Sequence, residues 1–200
     1  MEEKHHGISL KVTDSSNKHV PVSNPGEKTF HGAKEVLDAH RKDILEKFPH
    51  LKHAKNRETR KAMLDSDHHM KNYVKHKNAE TLEKATRVYH EHLSKLPTHE
   101  LAHHIKHILH SHETPMQKHG HNHIRHTTYT SKKAYAHHSI VPSAHHAHIY
   151  NDHHNITVHH SEKNVHFKHK GKTFGRVSLK FSSQSDPLSS IKGSGQTSGD

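Results

Sequence analysis

Apolar and polar positions alternate over residues 7–13, where Ile8, Leu10 and Val12 share one side, and this period of two predicts a short strand. Val20 and Val22, flanking Pro21, predict an edge partner for it, because proline cannot donate to a ladder. Asn24-Pro25-Gly26 breaks the chain, and from about Phe30 the period becomes helical. Ala33, Val36, Leu37, His40, Ile44 and Phe48 form one stripe that ends at Pro49. A weaker helix is predicted from Arg57 to Leu64, resuming through Met70, Tyr73 and Val74. Asn78 has the chemistry of an N-cap for a third, lined by Leu82, Ala85, Val88, Tyr89 and Leu93. Pro97 and Thr98 open a fourth that runs to about His112 and stops at Glu113-Thr114-Pro115.

Beyond Pro115 the periodicity disappears, and residues 116–150 read as loop with short extended pieces. Alternation then returns as a three-stranded antiparallel meander: Ile156 and Val158, then Val165 and Phe167, then Val177, Leu179 and Phe181, with Lys170-Gly171 as a tight turn. The opposite faces of these strands carry Thr157, His159, His166, Lys168, Arg176, Ser178 and Lys180. From Ser182 the chain is rich in serine and glycine and is expected to be a flexible tail.

These elements predict an α+β protein: a small helical bundle followed by a His-rich connector and the β-meander. The divisions are 1–29 (N-terminal β element and linker), 30–113 (helical region), 114–181 (connector and meander) and 182–200 (tail). Only 28% of the residues are hydrophobic and 5% aromatic, so two modest cores, or one helped by a metal or partner, fit better than one large one.

Histidine changes the picture most. The chain has 33, of which 21 fall between His99 and His169 beside only four carboxylates. Imidazole ligates borderline transition metals and titrates between about pH 5 and 8. Lys and Arg exceed Asp and Glu, for a net charge of +11 with histidine neutral, and acidification adds up to 33 more charges. Such a surface attracts polyanions through a field that salt weakens. Cysteine is absent, so any metal site rests on His, Asp and Glu. The N-terminus is polar and no stretch approaches a membrane span, which fits a cytoplasmic or virion-internal protein without a signal peptide.

Candidate metal ligands fall in three groups. His99, His103, His107 and His110 are helical neighbours opposite Leu101, Ile105, Ile108 and Leu109, so adjacent pairs have the spacing to chelate Zn, Ni or Cu. His119, His121 and His123 share one side of an extended segment. His145, His146, His148, His153 and His154 cluster in sequence with Asp152, either a ligand or a group that orients one. His99-Glu100-Leu101-Ala102-His103 also matches the HExxH pattern of zinc metallopeptidases, but this histidine content generates the motif by chance and no third ligand follows.

The polar meander face, with His159, His166, Lys168, Arg176 and Lys180, is the candidate nucleic-acid or polyanion surface. The leading expectation is a non-enzymatic basic protein that binds divalent transition metals and polyanions with pH tuning. One alternative is a metal-dependent nuclease, since Asp152 and Ser178-Leu179-Lys180 loosely resemble the order of restriction-endonuclease-like sites. Ser178, however, stands where that family places a carboxylate. A structural or assembly subunit of a viral particle is the other alternative.

Overall fold

A computed structural model describes residues 7–13, 19–110, 124–130, 137–140 and 146–198. The chain is α+β. Its strands are β1 (Gly7–Thr13), β2 (His19–Ser23), β3 (Ile124–Thr130), β4 (His137–Ile140), β5 (Ile156–Ser161), β6 (Asn164–His169), β7 (Lys172–Phe181) and β8 (Ile191–Ser198). Its α-helices are α1 (Ala33–Lys47), α2 (Arg57–Ser66), α3 (His68–Ser94), α4 (Thr98–His110) and the short α5 (Ala147–Asn151).

The predicted meander is present as β5, β6 and β7, but it belongs to a five-stranded antiparallel sheet of order β2-β8-β7-β6-β5. A separate three-stranded sheet has the order β1-β3-β4, with β1 parallel to β3. This corrects the pairing expected at the N-terminus: β2 lies against β8 rather than β1. Pro21 keeps β2 at the sheet's edge, where its missing N–H costs little, and the ladder is irregular between Pro21 and Ser23.

The largest correction concerns the tail. Residues 191–198 form β8, paired on both sides, and the preceding loop is pinned rather than loose. Arg60 grips Asp186 with two bonds, Nε to Oδ1 at 2.8 Å and Nη2 to Oδ2 at 2.9 Å, while Arg41 Nε donates to the Leu188 carbonyl at 3.2 Å. Burial opposes ionisation of Asp186, but the Arg60 fork and the Leu188 amide outweigh it and hold the carboxyl below its ordinary value.

The glycines of β8 are there for space. A Cβ on Gly193 would lie 2.4 Å from Phe30 Cζ, and one on Gly195 would lie 2.2 Å from Ser23 Oγ and 3.1 Å from the Ile108 carbonyl. In contrast, Lys170 (φ 49°) and Gly171 (φ 81°) are both left-handed, as a two-residue hairpin between β6 and β7 requires.

The helical segments also differ from expectation at one boundary. α3 runs unbroken for 27 residues, with Asn78 in its interior. Asp67 is its cap instead, accepting from the Met70 amide at 2.9 Å, and Asn56 caps α2 by accepting from the Thr59 amide at 2.8 Å. No glycine or proline interrupts residues 68–94, so helix propagation prevails over a polar residue in mid-stripe.

α1, α3 and α4 cover one face of the large sheet. Tyr89, Leu37, Ile105, Ile108 and Leu109 from the helices meet Val165, Phe167, Val177, Leu179 and Ile191 from the strands in one cluster. A smaller cluster joins the end of α1 to α2 and the start of α3 through Ile44, Phe48, Leu51, Leu64, Met70 and Val74. The helical region and the meander therefore share a core.

Candidate polyanion face and histidine clusters

Because β-strand side chains alternate, burying Val165, Phe167, Val177 and Leu179 under the helices forces their neighbours onto the opposite face. The register arranges them in rows. His159 pairs with His166, His166 with Arg176, and Arg176 with Gln196. Beside this row, Thr157 pairs with Lys168, while Asn164, Ser178 and Ser194 follow one another across β6, β7 and β8. Lys180 pairs with Lys192 near one end of the sheet. Among the described residues of this face there is no carboxylate, and hydroxyls and amides fill the gaps between cations.

Internal hydrogen bonds fix several of these groups. Arg176 Nε donates to Gln196 Oε1, Ser178 Oγ donates to Asn164 Oδ1, and Ser161 Oγ and His166 Nε2 are 2.9 Å apart. Partial burial, then the charges of Arg176, Lys168 and His159, hold the His166 imidazole below its ordinary pKa. An approaching anion reverses the electrostatic part of that shift and favours the protonated ring. The five sequence-predicted face residues are thus brought onto one surface, joined by Lys192, which was hidden in the presumed tail. Lys180, at the end of this face, also edges a cleft of ≈ 820 Å³ walled by Leu64, Val74, Leu82 and Phe181, with Asp65, Glu83 and Glu162 in its lining.

The predicted metal ligands divide. His99, His103 and His107 are exposed along α4, as the helical projection requires. His110 is buried, 4% exposed, and its Nε2 lies 2.8 Å from the Tyr150 hydroxyl. It meets Tyr150 and His146 edge-on, with ring centroids 5.7 and 5.6 Å away, and His146 in turn packs against Phe174 at 5.6 Å. His110 and His146 therefore act as interior aromatic rings. The file on α4 ends one turn early because its last turn is covered by α5.

His99, His153 and His154 gather at the start of α4. His153 Nδ1 is 2.9 Å from Thr98 Oγ1, its ring lies 4.1 Å from that of His154, and the His99 ring is 6.3 Å from that of His153. His148 is exposed, with its ring 6.2 Å from His169. Asp152 is committed elsewhere: it accepts from Lys170 Nζ at 2.8 Å, lies 2.9 Å from His169 Nε2 and accepts from Asn155 Nδ2 at 2.9 Å. The Lys170 ammonium, then Asn155 and His169, hold its carboxyl far below the usual range. Among the described residues no three His, Asp or Glu side chains converge on a point where a metal ion would sit.

His119, His121, His123 and His145 lie outside the described residues. The nuclease constellation is not assembled. Asp152 is tied to the β6–β7 turn, whereas Lys180 stands eight residues along β7 from Lys172, about 25 Å at the rise of a strand.

One cluster escapes a linear reading. His31 stacks on His92, with ring centroids 4.3 Å apart and planes 25° from parallel, and lies 6.3 Å from His104. The three come from the turn before α1, from α3 and from α4, so only the tertiary packing unites them. His104 Nε2 is 2.7 Å from the Tyr89 hydroxyl. Burial first, and then His31, His92, His107 and His103, lower the His104 pKa to about 4.

Fold and face together define an α+β protein with one covered and one open, cationic sheet face. Comparison with protein-family models, curated proteins and solved structures finds no match. Among the described residues, no helix is long and apolar enough to cross a membrane.

Proposed function

We propose that the protein binds the phosphate backbone of a nucleic acid through the open face of its five-stranded sheet. The observation that carries this reading is the clustering of His159, His166, Lys168, Arg176, Lys180 and Lys192 on one face of the sheet, whose described strand positions carry no carboxylate. Lysine and arginine neutralise phosphates and release counterions, which makes affinity fall as salt rises. The hydroxyls and amides between them add hydrogen bonds that fix orientation without reading sequence. His166, held below its ordinary pKa, adds charge when protonated, so binding strengthens on acidification.

The test is fluorescence anisotropy with labelled duplexes of two unrelated sequences, using wild type and a Lys168→Glu/Arg176→Glu variant. Similar affinity for both sequences, and loss of at least about tenfold in the variant, support the reading. Equal binding by wild type and a folded variant refutes it.

A second binding activity is favoured by the exposure of His99, His103 and His107 at successive i, i+4 positions. Adjacent pairs of these imidazoles chelate a divalent transition metal at the surface of α4, with His103 shared between the two pairs. Untagged protein is then retained on nickel resin, and His103→Ala elutes at lower imidazole. Unchanged elution excludes α4 as the chelating surface.

A further inference from the structure

We infer that His31, His92 and His104 form an acid-sensitive latch that holds α4 against α3 and the turn before α1 while neutral, and loosens it on protonation. The cluster rests on a different observation from the polyanion face and stands or falls without it. Imidazoles from three elements gather around His31, which stacks on His92 at 4.3 Å and lies 6.3 Å from His104. Neutral rings stack favourably at such distances, whereas imidazolium ions repel one another there.

Among the described residues, the charges acting on His92 and His104 give protonation no relief. The groups acting on His104 are His31 from the turn, His92 from α3, and His103 and His107 from α4; those acting on His92 are His31 and Lys95. Every one is a base. Tyr89, whose hydroxyl lies 2.7 Å from His104 Nε2, is buried within the main core, and its ring makes an edge contact with Phe30 at 5.1 Å. The latch thus connects directly to the packing beneath it. On the adjoining side of α4, Ile105, Ile108 and Leu109 belong to the core shared with the sheet, so loosening the helix uncovers apolar surface.

The direction of the pH effect follows from the native and unfolded affinities for a proton. His104 titrates at about 4 in the fold against 6.5 for the free side chain. Its stabilising contribution is complete above about pH 6.5 and is lost as pH falls toward 4, because the unfolded chain takes up the proton first.

Histidine-selective NMR titration of full-length protein, combined with binding of a hydrophobic dye between pH 7.5 and 4.5, tests the latch. Wild type should show a histidine resonance titrating near 4, absent in His104→Gln, together with a rise in dye fluorescence on acidification. His104→Gln, which retains a partner for Tyr89, should shift the dye transition down by at least half a pH unit. Should that variant fail to fold, the more exposed His31→Gln serves: removing one repelling base should raise the pKa of His104. An ordinary His104 titration near 6.5, or a dye transition unmoved in every folded variant, overturns the proposal.

Discussion

The two faces of the five-stranded sheet are made by the same strands, yet they obey different rules. On the covered face, Phe167 and Val177 are fully enclosed and even a glycine's hydrogen is in contact, so space is the controlling quantity. On the open face, charge controls, and hydroxyl and amide partners maintain order between cations. Substitutions on the first face should therefore change stability and leave the chemistry of binding alone; substitutions on the second should do the reverse.

Gly195→Val should break the comparison hardest from the covered side. The new side chain would drive into Ser23 and the α4 backbone, and a loss of about 3 kcal/mol or more in chemical denaturation is expected. A variant as stable as wild type would mean that β8 does not lie under α4. Next in size is Arg60→Ala, which strands the nearly buried Asp186 carboxylate, 8% exposed, without its fork. We expect a cost of about 2–3 kcal/mol, with stability partly recovered on acidification as that carboxylate takes up a proton.

Lys168→Glu/Arg176→Glu probes the other face. Its stability should stay within about 1 kcal/mol of wild type, whereas duplex affinity falls at least about tenfold and the salt dependence flattens. A large stability loss with binding retained would invert the assignment of the faces. The smallest effect is expected from Tyr89→Phe, which removes one hydroxyl from a partly buried ring nitrogen and should cost about 1 kcal/mol at pH 7.5 by thermal melting.

The same contrast explains what could be read in the sequence. The meander was legible because its covered face is apolar and its open face polar, as in Val165-His166-Phe167-Lys168. β8 was not, since Gly193 and Gly195 occupy covered positions that elsewhere hold valine or phenylalanine, and a run of glycine and serine resembles a linker. Only knowledge of Phe30 and Ile108 lying above it supplies the reason. The N-cap chemistry of Asn78 predicts a helix start there, but α3 passes through it, with the polar Thr81 of its buried stripe satisfied by His40 Nδ1 at 2.9 Å.

The candidate sites follow a similar division. Helical projection identified the exposed His99, His103 and His107 but included His110, whose burial depends on α5 arriving from forty residues later in the chain. Cationic positions on the meander were recoverable from alternation alone. The grouping of His31 with His92 and His104 required the packing of α3 and α4 against the turn before α1.

Mapping of backbone and histidine NMR shifts during titration with a short duplex tests the central claim most directly. Perturbations should concentrate on His159, His166, Lys168, Arg176 and Lys192, leave the covered face unchanged and diminish at high salt. Perturbations confined to the α4 file of His99, His103 and His107, with the open sheet face silent, would contradict it.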